Sequence, residues 1–173
     1  MSSDLPDKDR QGLMPEHALS LEAVLPLRRD AAFALTVDRI ASWWPRHDPF
    51  FGQSAQDVII DPHLGGACSR VGEDGRRVIW GTVLSIEAPL YLRLAWQIGP
   101  DGKPVADPST ASRVVWSFRD AGETTRLEIS HGDFIRHGAA GGDYRAFMAS
   151  EAGWPRLLAA LTKAASSRYA TSG

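Results

Sequence analysis

Three tryptophans occupy equivalent positions in three strand-like segments, and this alternation constrains the fold more than any other feature of the sequence. Around Trp80, Trp96 and Trp116 apolar residues recur at every second position, and His131 ends a fourth segment of the same period. A period of two places successive side chains on opposite faces of a strand. The segments therefore predict a sheet with one face rich in large aromatic side chains. The predicted inward residues are Val78, Trp80, Thr82, Leu84 and Ile86, then Leu92, Leu94 and Trp96, then Val114, Trp116 and Phe118, and finally Thr125, Leu127, Ile129 and His131.

The composition indicates a single globular domain. The chain has 173 residues, of which 43% are hydrophobic and 23% charged. A chain of this length and composition can bury a core without disulfides or metals. Residues 1–15 and 168–173 lack apolar periodicity, so we expect a disordered segment at each end and one domain over residues 16–167.

Charge, cysteine content and hydropathy argue against several classes of function. A net charge of −2 and a pI near 6.2 provide no basic surface for nucleic acid. No run approaches about 18 apolar residues, so we expect no membrane insertion. Cys68 is the only cysteine, which excludes an intrachain disulfide and favours a reducing, cytoplasmic setting. No His, Cys, Asp or Glu residues show metal-ligand spacing, and we expect neither a metal nor a cofactor.

The predicted elements are one strand, two short helices, six further strands and a long helix. The first strand covers Ala18–Leu27, and the short helices follow with Asp30 and Asp38 as expected N-caps. The last helix carries an apolar stripe over residues 142–166, and Gly153 and Pro155 predict a kink or break within it. This order predicts an α+β fold in which the helix covers the concave face of a curved antiparallel sheet.

Four local features together resemble the Aha1-like group, named for an activator of the Hsp90 ATPase, within the START/Bet v 1-like superfamily. They are Phe33 through Trp43 and Trp44 after the first strand, Asp61–Gly66, Gly81–Pro89, and Gly153, Trp154 and Leu157–Leu161 in the last helix. The resemblance covers roughly residues 18–165. It implies the helix-grip fold, in which a seven-stranded antiparallel sheet holds a C-terminal helix with a cavity between them.

Ten residues are candidates for lining that cavity. They are Trp43, Trp44, Phe50, Trp80, Trp96, Trp116, His131, Phe147, Glu151 and Trp154. The tryptophans either pack as core or form aromatic walls for a ligand. His131 is either a polar anchor or general base, or a buried histidine satisfied by a neighbour. Glu151 either faces the cavity with a charged partner or is rotated into solvent by the helix distortion.

No residue is nominated as catalytic, because no nucleophile has an adjacent base and Cys68 lies in a strand without one. The function we expect is the binding of a small apolar or amphipathic molecule between the sheet and the C-terminal helix. One alternative is a chaperone-associated module that docks a protein partner. A second is a cofactor-free cavity enzyme that uses His131 or Glu151. An edge strand or the outer sheet face could also support a homodimer.

The docking alternative would depend on the helix or on the outer face of the sheet, rather than on the tryptophans. Four arginines have outward parity there: Arg93, Arg113, Arg119 and Arg126.

Overall fold

The computed structural model describes residues 18–46 and 55–172, with side chains to residue 167. Its strands are β1 (Leu19–Leu25), β2 (Ala55–Ile60), β3 (Ala67–Gly72), β4 (Arg77–Glu87), β5 (Tyr91–Trp96), β6 (Ser112–Ala121) and β7 (Thr124–Gly132). Its α-helices are α1 (Arg29–Phe33), α2 (Gly141–Ala149) and α3 (Trp154–Ser172). Shorter helical segments are a π-helical turn, Ala34–Asp38, and the 3-10 segments Ile40–Ser42, Pro108–Thr110 and Phe134–Ala140.

The seven strands form one antiparallel sheet in the order β1-β7-β6-β5-β4-β3-β2. Consecutive strands from β2 to β7 are neighbours, and β1 forms the edge of the sheet beside β7. The sheet curls into a half-barrel around the C-terminal helix, because its apolar face can be buried only against another element. The predicted helix-grip fold is confirmed.

The register of β5, β6 and β7 confirms the predicted aromatic parity. Trp116 lies opposite Leu92, and both are buried, while His131 lies opposite the buried Val114. Trp96, the last residue of β5, lies opposite Ser112 of β6. An unbroken register keeps the inward set on one face over the whole length of these strands.

The predicted alternation is wrong in part of β4. The register shifts twice, leaving Trp80 as an extra residue against β3 and Leu84 as an extra residue against β5. A bulge places two residues of one strand against one residue of its partner and reverses the parity of the residues beyond it. Trp80 is buried as predicted, but Val83 takes the inward position expected for Leu84 and is 1% exposed.

The short helices begin differently from the prediction. Arg28 is the residue before α1, so Asp30 lies in the first turn rather than at the cap, and Asp38 ends the π-helical turn. A carboxylate in the first turn still lies favourably near the positive end of the helix. Neither aspartate therefore caps a helix.

The predicted break in the C-terminal helix is present. Residues 150–153 separate α2 from α3, and Pro155 is the second residue of α3, where a missing N–H removes no helical hydrogen bond. A Cβ at Gly153 would overlap the backbone of Met148, so the two helices meet closely. Helix α3 continues to Ser172, past the boundary at residue 167 that the sequence predicts.

The core lies between the concave face of the sheet and the helices. Helix α3 contributes a buried stripe that begins at Trp154 and continues through Leu157, Leu158, Leu161 and Ala165. Recurrence at three- and four-residue steps is the spacing of one helix face. The stripe places Trp154 over the aromatic residues of the sheet.

Candidate functional site

All six tryptophans of the chain lie in one buried cluster between the sheet and the helices, and none is more than 6% exposed. Neighbouring rings along a closed circuit have centres 5.0 to 6.4 Å apart. The circuit passes from Trp43 to Trp44, Trp80, Trp96, Trp154 and Trp116 and returns to Trp43. We call these six residues the tryptophan cluster.

Ring contacts hold the tryptophan cluster together. Trp44 stacks on Trp80 with 27° between the planes, while Trp154 meets Trp116 almost edge-on at 86°. Both arrangements fall within the range over which aromatic rings attract. Three cavities lined by described residues open on the surface, and no tryptophan lines them. A molecule that lies between two neighbouring rings of the circuit must separate rings that are in contact.

The indole N–H groups of the cluster differ in whether they are hydrogen-bonded. Trp43 donates to the carbonyl of Thr36 at 3.1 Å, and Trp96 donates to the hydroxyl of Tyr144 at 2.8 Å. Trp80 and Trp116, by contrast, have buried Nε1 atoms with no hydrogen-bond partner among the described residues. An unpaired buried donor costs about 1–3 kcal/mol. These two residues are not neighbours in the circuit, since three ring contacts separate them in either direction.

His131 is fully buried beside the cluster, and two hydrogen bonds fix its tautomer. Trp154 Nε1, which can only donate, donates to His131 Nδ1 at 3.0 Å. The proton of the neutral imidazole is therefore on Nε2, which donates to Ser112 Oγ at 2.8 Å. Ser112 Oγ is also hydrogen-bonded to Nε2 of the half-buried His137 at 2.9 Å. A chain of hydrogen bonds thus connects Trp154 to His137.

This arrangement favours an anchoring role for His131 over a role as general base. Burial, and to a smaller extent the neighbouring His137, holds the pKa of His131 well below its usual range. A neutral imidazole has a single basic nitrogen, and here that nitrogen accepts from Trp154. It has no lone pair for a substrate proton while this bond persists. Burial also lowers the pKa of His137.

A groove of about 450 Å³ lies beside the cluster, between the turn after β5 and helix α2. We call it the side groove. One wall is the turn Ile98–Gly102, and the other is formed by Ala140, Asp143, Tyr144 and Phe147. The turn is closed by a hydrogen bond from the Gly99 amide to the carbonyl of Lys103 at 2.8 Å. A surface cavity of this volume is within the usual size range for small-molecule sites.

Tyr144 connects the side groove to the tryptophan cluster. It lines the groove but is only 4% exposed. Its hydroxyl accepts from Trp96 Nε1 at 2.8 Å and donates to the carbonyl of Ile98 at 2.5 Å. Burial, together with the nearby charge of Asp101, raises the pKa of Tyr144, so the hydroxyl remains a donor at neutral pH.

Seven of the ten predicted cavity residues meet in the structure, namely the six tryptophans and His131. Phe147 does not join them: it is 39% exposed and lines the side groove. Glu151 is exposed, because it lies in the break between α2 and α3, where the helical stripe is interrupted. Of the two alternatives for Glu151, the structure shows the second, exposure to solvent. Phe50 lies outside the described residues.

Three residues that hold the cluster in place were not predicted from the sequence. Ser112 has the inward parity of β6, so its position could have been read from the alternation. Tyr144 was recognised only as part of the apolar stripe, and its hydroxyl contacts a strand 48 residues away in the sequence. His137 lies beyond the last strand and is half-buried, with a hydrogen bond to Ser112. Hydrogen bonds between residues so far apart in the sequence leave no periodic pattern in it.

The described residues contain neither a metal-ligating cluster nor a membrane-spanning helix. Nowhere in residues 18–46 and 55–172 do three or more His, Cys, Asp or Glu side chains gather as a metal site would require. None of the helices in this part of the chain combines the length and hydropathy needed to cross a bilayer.

The curved antiparallel sheet around a C-terminal helix defines a helix-grip protein of the START/Bet v 1-like superfamily. The family model described as activator of Hsp90 ATPase homolog 1-like protein matches residues 32–166, and the chain belongs to this family. The predicted resemblance is confirmed. Comparison with curated proteins finds no match.

Solved structures support the same fold. An anthrahydroquino-γ-pyrone synthase is 25% identical, with a TM-score of 0.62 over 87% of this chain and 99% of the other. A self-sacrificing resistance protein, CalC from Micromonospora echinospora, is 20% identical, with a TM-score of 0.65 over 90% of this chain and 97% of the other. A protein from Nitrosomonas europaea is 17% identical, with a TM-score of 0.63 over the same shares. The last two likenesses concern the fold alone.

Proposed function

We propose that this protein binds a small, flat, amphipathic molecule within the tryptophan cluster, between the sheet and α3. The observation that carries the proposal is the pair of buried indole N–H groups, on Trp80 and Trp116, that have no partner among the described residues. Core packing alone explains six buried aromatic rings, but it leaves these two donors unsatisfied. A ligand with acceptors at two opposite edges would recover both hydrogen bonds.

The same observation defines the class of ligand. An aromatic body would replace the ring contacts that it separates, and carbonyl or ether oxygens on opposite edges would accept from the two indoles. A para-quinone has this arrangement of acceptors. The likeness to an anthrahydroquino-γ-pyrone synthase supports ligands of this general shape. A fatty acid, with acceptors at one end only, could satisfy at most one side of the circuit.

Binding without turnover agrees best with the state of the polar groups. The basic nitrogen of His131 already accepts from Trp154, and Glu151 is exposed outside the cluster. Neither residue is placed to move a proton within the cluster. The cofactor-free enzyme alternative is therefore less well supported than binding.

A matched pair of ligands tests the proposal. A naphthoquinone methylated at both ring positions next to its carbonyls cannot react with thiols, and the corresponding dimethylnaphthalene has the same shape without acceptors. We expect the quinone to bind more tightly in calorimetric titrations and to quench tryptophan fluorescence. Trp116→Phe should weaken quinone binding by roughly 2- to 13-fold, the equivalent of one hydrogen bond, and leave the binding of the hydrocarbon unchanged.

Two results would contradict the proposal. One is equal loss of affinity for both ligands in Trp116→Phe, which would show that the indole contributes ring contact only. The other is that neither ligand binds to folded protein, which would mean that the cluster is a packed core. In the second case, capture of a specific protein partner by the outer face of the sheet would favour the docking alternative.

A further inference from the structure

Tyr144 lies between the side groove and the tryptophan cluster. Tyr144 lines the groove, and its hydroxyl holds Trp96, which contacts three other indoles of the cluster. Trp96 itself is 0% exposed. Rotation of Tyr144 out of this position would open Trp96 to the groove.

We propose that the side groove is the entrance to the tryptophan cluster, that Tyr144 is its gate, and that the rim of the groove admits neutral or cationic molecules in preference to anions. This inference rests on the proposed function for its purpose, because it states how a ligand would reach the cluster.

The gate is held by hydrogen bonds that can break without disrupting a strand. Tyr144 Oη accepts from Trp96 and donates to the carbonyl of Ile98, which lies outside the regular strand pairing of β5. Two such bonds are weak enough to break transiently, and the same hydroxyl makes both of them. The hydroxyl is thus a latch, and the aromatic ring is the barrier.

The element that carries Tyr144 is bounded by two irregular points. Helix α2 has nine residues, and after it comes the break at residues 150–153. Before it, Gly138 interrupts the 3-10 segment with φ 71° and ψ −142°, a conformation that glycine adopts without strain. Irregular positions at element ends are where hinge motion is absorbed. Phe147, on the same helix, offers an exposed apolar surface at the rim.

The charged residues on the rim of the side groove make the entrance negatively charged. Asp101 lies on the turn and Asp143 in the first turn of α2, so each wall of the side groove carries one carboxylate. The described residues include no ion pair to either of them. Lys103 lines the adjoining surface cavity rather than the side groove itself. Two carboxylates facing one groove repel an approaching anion and attract a cation.

Collisional quenching of tryptophan fluorescence tests the gate without any ligand. Acrylamide is the neutral quencher, iodide the anion and caesium the cation, and lifetimes correct for changes in intrinsic emission. Tyr144→Phe removes the latch but keeps the ring. We expect it to raise the acrylamide quenching rate constant by about 5-fold or more, the effect on an opening equilibrium of losing both hydrogen bonds of the hydroxyl.

Tyr91→Phe is the matched control. Tyr91 also bonds a side chain through its hydroxyl, to Ser85 Oγ at 2.7 Å, but it lies outside the side groove. We expect its quenching to equal that of the wild type. Equal quenching in Tyr144→Phe and Tyr91→Phe, with both proteins folded by circular dichroism, would overturn the gate.

The selectivity of the rim is tested in the Tyr144→Phe background. Caesium and acrylamide should gain more access than iodide, and adding Asp101→Asn with Asp143→Asn should raise iodide access several-fold while lowering that of caesium. Unchanged iodide and caesium access in the triple variant would overturn the charge selectivity.

A ligand experiment separates the entrance from the proposed function. Ala140→Trp adds bulk to the exposed wall of the side groove, so it should slow quinone association and dissociation in stopped-flow measurements with little change in affinity. Unchanged rates, with quinone bound as in the wild type, would overturn the entrance and leave the proposed function intact. More acrylamide access in Tyr144→Phe supports the gate even if no quinone binds, a result that would count against the proposed function alone.

Discussion

His131 should make the folded protein sensitive to acid between pH 7 and pH 5. Its pKa is held well below the usual range by burial, so on acidification the unfolded chain binds a proton that the native state does not. The stability contributed by the neutral imidazole is complete above the ordinary histidine pKa of about 6.5. It is then lost as the pH falls from that value towards the lowered pKa of the folded state.

The magnitude of this loss is set by one proton. The free energy of unfolding should fall by up to about 1.4 kcal/mol per pH unit in this window. For a histidine that stays neutral in the native state down to pH 5, the loss between pH 7 and pH 5 is about 2 kcal/mol. Because a domain of this size is typically stable by about 5–15 kcal/mol, the change is large enough to measure.

Urea unfolding at pH 7, 6 and 5, monitored by tryptophan fluorescence, compares the wild type with His131→Gln. Glutamine keeps one acceptor for Trp154 and one donor for Ser112 but does not titrate. We expect the variant to be less stable at pH 7 and to lose about 2 kcal/mol less on acidification, because the remaining histidines are common to both proteins.

Parallel stability profiles for the two proteins would refute this reasoning. So would a direct NMR titration in which the imidazole protons of His131 shift with a midpoint near 6.5 in the folded protein. Either result would show that His131 takes up a proton in the native state and that the bond from Trp154 does not keep it neutral.

Three further perturbations have definite expected outcomes. Gly153→Ala forces a Cβ into the backbone of α2 and should destabilise the protein by about 1–3 kcal/mol in chemical denaturation. Gly142→Ala is its control, because a Cβ there meets nothing within 4 Å. This variant should be neutral or stabilising by up to about 1 kcal/mol. Trp96→Phe should cost about 1–3 kcal/mol more than Trp116→Phe, because only the first leaves a buried hydroxyl without its donor; equal losses would contradict this. Cys68, buried and with a thiol pKa raised to about 12, should react with a disulfide reagent at pH 8 only as fast as the protein unfolds, and rapid labelling of native protein would contradict its burial.

The fold could be predicted wherever the register is regular. In β5, β6 and β7 every second residue faces the core without interruption, so Trp96, Trp116 and His131 were placed correctly by parity alone. In β4 the same rule failed at Leu84, because a bulge is set by how neighbouring strands curve rather than by the local alternation of side chains. Curvature is a property of the sheet, and no single strand encodes it.

The site could be predicted only in its apolar part. Periodicity identifies which faces are buried, and it therefore found the rings of the cluster. The hydrogen bonds that decide what those rings can do connect residues 19 to 48 positions apart, from Ser112 to His131 and from Trp96 to Tyr144. For Glu151 the sequence left two positions open, and proline and glycine, which predicted the helix break, also gave the reason for the exposed one.

Pairing of the buried donors therefore distinguishes a binding interior from a packed core better than aromatic content does. Four features of the cluster, namely close ring contacts, burial, the stack of Trp44 on Trp80 and the bond from Trp154 to His131, would serve a packed core equally well. An unpaired buried donor does not stabilise a packed core, because an apolar ring of similar shape would avoid the free-energy cost of burying it. Phenylalanine would fill most of the space at Trp80 and Trp116 without an orphaned N–H. Retaining indoles there is favourable only if something else accepts from them, and this is what the comparison of quinone with hydrocarbon measures.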